Sequence, residues 1–549
     1  TKDTLSDWLD KKFGETITDN SIFSELPAYW ESEFHKDMDS LNVMRPNVLT
    51  RVSEYIPEII TYIERIIANG LAYESNGSVY FDVPSFDNVP SHYYAKLVPE
   101  AFGDSESLQS GEGDLGEMGE KRSPTDFALW KSAKPGEPWW NSPWGRGRPG
   151  WHIECSVMAS EICGDTLDIH TGGVDLKFPH HDNELAQAEA YFDNDCWVRY
   201  FLHSGHLTIS GCKMSKSLKN FVSIADALKK HSARQLRLAF LLHSWRDTLD
   251  YSDNTMDMAV SYEKMINEFF LTVKDICHSI GSSTNHEVFR KWTANELTLN
   301  RSFTKMKREV HAALCDNIDT RTALESIRDC ITKANVYLSK PEANHMLLKD
   351  IAYFITRIMT IFGVISQPNN IGFPVGNADS GTDVSYSVES IAMPFLRILG
   401  QFRDEVRGQA RDLKIHSILN ICDNLRDNTL PDVGVRLEDR EGRPCAVKLM
   451  DKETLIRERE AKKNLEDEKE RKKRQMEALQ NEREALKRVP PEEMFLSMKD
   501  KYSAFDSQGL PTHDAEGKEL SKGQQKKLQK SQQLQRKKYT DYMDSIKTS

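Results

Sequence analysis

Gly150-Trp151-His152-Ile153-Glu154-Cys155 opens the stretch that decides the fold; Phe178-Pro179-His180-His181-Asp182-Asn183-Glu184 and Lys213-Met214-Ser215-Lys216-Ser217 follow it. Between these segments the pattern alternates. A helix over about 152–163 is followed by a strand at Leu167-Asp168-Ile169-His170 and a glycine turn at Thr171-Gly172-Gly173. A helix over about 181–192 then leads to a strand at Trp197-Val198-Arg199-Tyr200-Phe201-Leu202. Such alternation specifies an α/β layer of parallel strands, whose ligands gather at the carboxyl ends of the strands. His180 and Glu184 are spaced to share one face of a helix, and Cys155 comes from another element. A thiol, an imidazole and a carboxylate are a legitimate ligand set for tetrahedral zinc. Taken singly, a buried cysteine is more often a small hydrophobe, and a helical His/Glu pair a surface hydrogen bond. Lys213 and Lys216 flank two small or flexible residues in a loop beyond this layer, where they suit phosphate charge.

Upstream, the isoleucines at 56, 59, 60, 63, 66 and 67 recur at helical spacing over 53–69, with Gly70 as the stop. Ser78-Val79-Tyr80-Phe81-Asp82-Val83 reads as a strand, 103–120 as an exposed loop rich in Gly, Ser and Glu, and 139–150 as a turn-rich aromatic lead-in. Downstream, 224–243 and 255–278 read as helices. The stretch 286–426 is mostly helical, with a polar interruption near 366–387. Residues 452–488 are dominated by Glu, Lys, Arg and Gln, with too little apolar periodicity for a coiled coil, so a solvated helix is expected.

At 549 residues and 39% hydrophobic content, the chain is long enough for three or four domains with real cores. No run of about 18 apolar residues suggests a membrane span, and Thr1-Lys2-Asp3-Thr4 does not read as a signal peptide. Nine scattered cysteines argue against a disulfide framework and for a reducing compartment. The net charge of −12 is uneven: residues 451–549 carry +4 and the rest −16. Within the tail, 521–540 has seven Lys or Arg and no acid. It reads either as a solvated disordered segment or as a local basic patch able to attract phosphate despite the acidic bulk.

In this order the three motifs resemble the cysteinyl-tRNA synthetases, members of class I of the aminoacyl-tRNA synthetases. The likeness continues through His203-Ser204-Gly205-His206-Leu207-Thr208-Ile209 and Asn220-Phe221. It also covers the tail segments Glu493-Met494-Phe495, Gly509-Leu510-Pro511-Thr512-His513-Asp514 and Gly517-Lys518-Glu519-Leu520-Ser521-Lys522-Gly523, which are similar to animal cytosolic members. The resemblance implies the α/β second half of a class I Rossmann-like catalytic domain, then an α-helical anticodon-binding domain and a charged C-terminal extension. The corresponding spans are 1–147 for the end of a eukaryotic insertion and a connective region, and 148–209 for the catalytic half with the zinc ligands. They continue with 210–260 for the KMSKS and stem-contact region, 261–450 for the helical tRNA-binding domain and 451–549 for the extension.

The implied activity is ATP-dependent activation of cysteine, with Mg²⁺, and its transfer to the cognate tRNA in the cytoplasm; a homodimer is compatible. By resemblance Cys155, His180 and Glu184 are zinc ligands, and Lys213 and Lys216 are catalytic. Lys216, Gly172, Gly173 and His203 meet ATP, while Trp151 and Asp175 meet the amino acid. The family usually has glycine where this chain has Thr171. It places a His-Ile-Gly-His signature and a fourth zinc ligand, a cysteine, upstream of everything seen here. No cysteine precedes Cys155, and His203-Ser204-Gly205-His206 lies too close to Lys213 to be that signature. The expectation is therefore a chain beginning inside an insertion and inactive by itself. Two other readings stand beside it: a non-catalytic tRNA-binding or regulatory product, and a zinc hydrolase using His180, His181 and Glu184. The hydrolase reading lacks a His-Glu-x-x-His helix.

Overall fold

The computed structural model describes residues 22–103, 120–134, 137–214, 220–280, 291–340, 343–366, 371–374, 388–440 and 443–547. Contacts divide the chain into two units, Thr1–Ser385 and Tyr386–Ser549. The class is α/β, with many helices.

In the first unit α1 (Ile22–Ser40) precedes α2 (Ile56–Ala68). The isoleucine spacing does what the sequence demands: Ile56, Ile59, Ile63 and Ile66 are buried together with Tyr62. Pro57 occupies the first turn, where its missing N–H costs nothing. Gly70 closes the helix at φ +77, and Leu71 donates back to the Ile66 carbonyl at 3.1 Å. Each buried isoleucine contributes about 1.5–3 kcal/mol. Their face packs against Ile153, Val157, Ala186 and Ala190, which sit on the two helices that carry the candidate ligands.

Strands β1 (Ala72–Ser75), β2 (Ser78–Phe81), β3 (Phe127–Ser132), β4 (Trp140–Ser142) and β5 (Gly145–Pro149) form an antiparallel sheet in the order β1-β2-β3-β5-β4. Only β2 of these is read as a strand from sequence. Gly150 then turns the chain into α3 (Trp151–Cys163), donating to the Leu129 carbonyl at 2.8 Å.

Strand β6 (Leu167–Gly173) pairs in parallel with β7 (Val198–Ser204), and α4 (Asp182–Phe192) connects them. One expectation is corrected here: Thr171-Gly172-Gly173 is strand, not turn, paired with Leu202, His203 and Ser204. The glycines serve close packing, since a Cβ on Gly172 would lie 2.7 Å from the His181 ring. Beyond β7, β8 (Leu207–Ile209) pairs antiparallel with β9 (Cys212–Lys213) and parallel with β10 (Leu249–Asp250). The expected helix over 224–243 is two, α5 (Ile224–Lys230) and α6 (Ala233–Leu241). Ser232 and Gln235 exchange side-chain and backbone hydrogen bonds in a capping box that starts the second helix. A helical bundle follows: α7 (Asp253–Ile280), α8 (Ala294–Cys315), α9 (Thr320–Leu338) and α10 (His345–Ile361). One apolar core that includes Phe270, Phe303, Leu324 and Ile351 holds it together.

In the second unit α11 (Val388–Asp412) and α12 (His416–Asn424) accompany the hairpin β11 (Val435–Arg440) and β12 (Arg443–Leu449). Met393, Leu437 and Val447 belong to their shared core. Helix α13 (Lys452–Lys487) is solvated as expected: beyond Glu460 every described side chain in it is exposed. The hairpin β13 (Tyr502–Phe505) and β14 (Pro511–Asp514) precedes α14 (Lys522–Lys547). The disordered reading of 521–540 is thus corrected to helix. Gln532 anchors it by donating to the Pro491 and Gln508 carbonyls at 3.1 and 2.7 Å, and Gln535 by donating to Val489 at 2.9 Å. Among the described residues no helix is long and apolar enough to cross a membrane.

Candidate functional site

Helices α3 and α4 bring Cys155, His180 and Glu184 together, their ligand atoms all within 4.8 Å of one another. His180 precedes α4 by two residues, and Glu184 sits in the helix's first turn, so the i,i+4 spacing works as the sequence suggests. His180 Nε2 lies 2.8 Å from Glu184 Oε1, and His170 Nε2 lies 2.9 Å from Oε2. Despite these approaches, both Glu184 oxygens and His170 Nε2 are buried without a hydrogen-bond partner. Buried polar atoms are normally satisfied. Lone pairs converging without hydrogen-bond geometry, beside a thiol, are the donor set of a tetrahedral cation such as zinc, so the residues present fit that ion.

Burial raises the Glu184 pKa, but the two facing imidazoles outweigh it and hold the carboxyl at about 2. The carboxylate is therefore ionised at neutral pH. Burial pushes the Cys155 thiol well above its ordinary range, and the carboxylates of Glu184 and Glu154 add to the effect. A coordinating cation would reverse that balance, because a ligated thiol gives up its proton. Burial holds His152 neutral at about 3, reinforced by His180, whose Nδ1 lies 2.8 Å from its own. His181, at about 4, is likewise neutral through burial.

Trp151 stacks on the His180 ring at a 4.3 Å centroid distance and stays 43% exposed, so one face remains open to a ligand. His181 Nδ1 and His203 Nε2 lie 2.8 Å apart, and the His181 ring fills the space above Gly172. Gly173 lies beneath the exposed Asp175 carboxylate, whose Oδ1 would be 2.5 Å from a Cβ there. Lys213 is exposed in β9 and accepts, through its carbonyl, a 3.2 Å bond from Asn220 Nδ2. Ser215, Lys216 and Ser217 lie outside the described residues.

The sequence reading gave no role to His152 and His170. His170 joins His181 and Glu184 in a second potential ligand group that shares the same carboxylate. It comes from a strand rather than from α4, so no helical spacing could reveal it. The hydrolase grouping of His180, His181 and Glu184 does not form as such, because His181 turns toward His170 and His203.

Residues 3–261 match the family described as tRNA synthetases class I (C) catalytic domain. The chain is 58% identical to cytoplasmic cysteine–tRNA ligase of Drosophila pseudoobscura pseudoobscura, over 100% of this chain and 75% of that protein. It is 57% identical to the cytoplasmic cysteine–tRNA ligase of Homo sapiens, over 99% and 73%. A methionyl-tRNA synthetase of Mycobacterium tuberculosis in complex with methionyl-adenylate superposes with a TM-score of 0.45 at 12% identity, covering 60% of this chain and 77% of that one. The chain therefore belongs to the cytoplasmic cysteine–tRNA ligase family of class I aminoacyl-tRNA synthetases.

Proposed function

We propose that Cys155, His180 and Glu184 hold a zinc ion and that this site selects cysteine for ATP-dependent activation. The observation that carries this reading is the meeting of the three ligand atoms around a buried, ionised carboxylate that the imidazole nitrogens of His180 and His170 approach at 2.8 and 2.9 Å. Zinc bound there supplies a soft Lewis acid that prefers a sulfur anion to a hydroxyl, so serine is rejected at the binding step.

The family's reaction uses ATP with Mg²⁺ to form an aminoacyl-adenylate and then passes the acyl group to tRNA. Trp151, stacked on His180, offers an aromatic wall for a small amino acid. Asp175 supplies a carboxylate for the ammonium group. Gly172 and Gly173 end β6, with His203 paired beside them, at the carboxyl edge of the strands where α/β ligands bind. Their missing side chains let the His181 ring and the Asp175 carboxylate pack close to the strand end, where they border the ATP site. Lys213 and Lys216 stabilise charge on the α-phosphate as pyrophosphate leaves. The helices from α7 onward take the tRNA, and the basic stretch 521–540 meets its phosphates.

Metal analysis of the purified chain tests the central claim. The parent should carry about one zinc per chain, and Cys155→Ser, His180→Ala and Glu184→Gln should each lose it. Parental zinc content in all three variants would refute the assignment.

A further inference from the structure

Residues 92–98 lie along α4 and grip its first turn from outside. The Leu97 N–H donates to Asp182 Oδ1 at 2.9 Å, and Tyr94 Oη donates to Asn183 Oδ1. Further along the helix Lys96 pairs with Glu189 and also donates to the Asp195 carbonyl at 3.0 Å. His92, stacked on Phe86 at 4.8 Å, stands 3.9 Å from Glu189 and 3.6 Å from Asp193. Asp182, Asn183 and Glu189 are all buried. In the middle of the segment, buried Ala95 sits at φ +59. A non-glycine residue keeps that conformation only where its surroundings over-determine it, and here the conformation lets Tyr94 and Lys96 both reach the same helix.

Asp182 and Asn183 immediately precede Glu184 and follow His180 closely. Whatever fixes their side chains fixes the position of both candidate ligands along the helix axis. Metal–ligand distances tolerate only about 0.2 Å of error, so a small slip of this turn would separate Glu184 from Cys155.

We infer that residues 92–98 are a positioning clamp for the metal site, with Asp182 and Tyr94 as its principal positioning residues. The clamp acts through α4 and touches neither cation nor substrate. The inference rests on the zinc reading above.

The test is zinc affinity of the full chain, measured by competition with a chromophoric chelator. Asp182→Ala should weaken zinc binding about ten- to a hundredfold, the usual effect of losing a partner that orients a ligand. Asp182→Asn keeps the acceptor and should recover most of the affinity. Leu324→Ala, in the helical core far along the chain, lowers stability while leaving zinc affinity at the parental value, which separates positioning from general loosening. If Asp182→Ala fails to fold, Tyr94→Phe removes a single hydroxyl and should still weaken zinc binding measurably. Parental affinity in Asp182→Ala, or in Tyr94→Phe where that variant carries the test, overturns the clamp alone. A parent chain that binds no zinc overturns the zinc reading and the clamp with it.

Discussion

Gly150→Ala offers a sharp test of how the sheet positions the site. Gly150 has φ −68 and ψ 157, torsions that alanine adopts freely, so any penalty comes from space alone. A Cβ at this position would lie 1.9 Å from the Ala128 carbonyl oxygen and 2.8 Å from its carbon. Reaching even 3.0 Å, the shortest separation real Cβ atoms show, requires a displacement of at least about 1.1 Å. The obstacle is backbone of β3, buried and paired on both sides, so it cannot swing away as a side-chain tip could. The start of α3 must therefore move, and Trp151, His152 and Cys155 move with it. Overpacking of this kind costs about 1–3 kcal/mol of stability, and a 1 Å misplacement at a site costs about a hundredfold in function. Urea unfolding and chelator competition read the two effects. The control is Gly408→Ala in α11, where nothing lies within 4 Å of a new Cβ; it should gain roughly 0.5–1 kcal/mol from better helix propensity. Parental urea midpoint and parental zinc affinity in Gly150→Ala would refute the argument.

Two further expectations concern other parts of the chain. Arg403, fully buried in the second unit, bridges Asp439 at 2.6 Å and the Cys422 carbonyl at 3.0 Å. Arg403→Met should destabilise that unit by about 1–3 kcal/mol, because the Cys422 carbonyl loses its buried donor while Asp439 keeps Arg426 and Arg407 beside it. All 10 tryptophans precede Ser385, so far-ultraviolet dichroism rather than indole fluorescence follows this unit, and an unshifted urea midpoint would count against the bridge. At the start of α8, burial pushes the Glu296 carboxyl up, but bonds from Thr293 and Tyr337 prevail and hold it at about 2, below its ordinary 4.5. A depressed folded-state pKa means stability that is complete above the ordinary value and lost as pH falls from about 4.5 toward about 2. Glu296→Gln should flatten that acid limb, and equal slopes of stability against pH in parent and variant would contradict it.

Local periodicity made much of the first unit legible. The isoleucines of α2, the 152–163 helix and the strand at 198–202 each carry a pattern that one window of sequence contains. The i,i+4 spacing of His180 and Glu184 likewise exposed two candidate ligands without knowledge of topology. The antiparallel sheet was less visible: β4 and β5 run through Trp140-Asn141-Ser142 and Gly145-Arg146-Gly147-Arg148-Pro149, a composition that reads as turns. Gly145 has open space and takes φ +112, whereas Gly147 serves packing, since a Cβ there would lie 2.3 Å from Trp130 Nε1. Gly172 and Gly173 misled for the same reason. His170 and the clamp at 92–98 were invisible because their partners lie far along the chain, and only the tertiary fold brings them to α4. In the tail, Gln532 and Gln535 read as polar surface, yet their side-chain amides reach backbone carbonyls elsewhere and hold α14 in place.

Helix α13 has a consequence for how this part of the chain can change over time. Beyond Glu460 it has no buried described side chain, and what supports it locally are exchangeable pairs such as Glu468 with Lys472 and Glu470 with Arg474. Each such pair contributes only a few tenths of a kcal/mol, and another acid placed four residues before a base does as well. Selection on this segment therefore acts on composition and phase rather than on the identity of individual residues. It can drift rapidly, or gain and lose whole turns, while helices on either side that bury a face stay tied to their sequence.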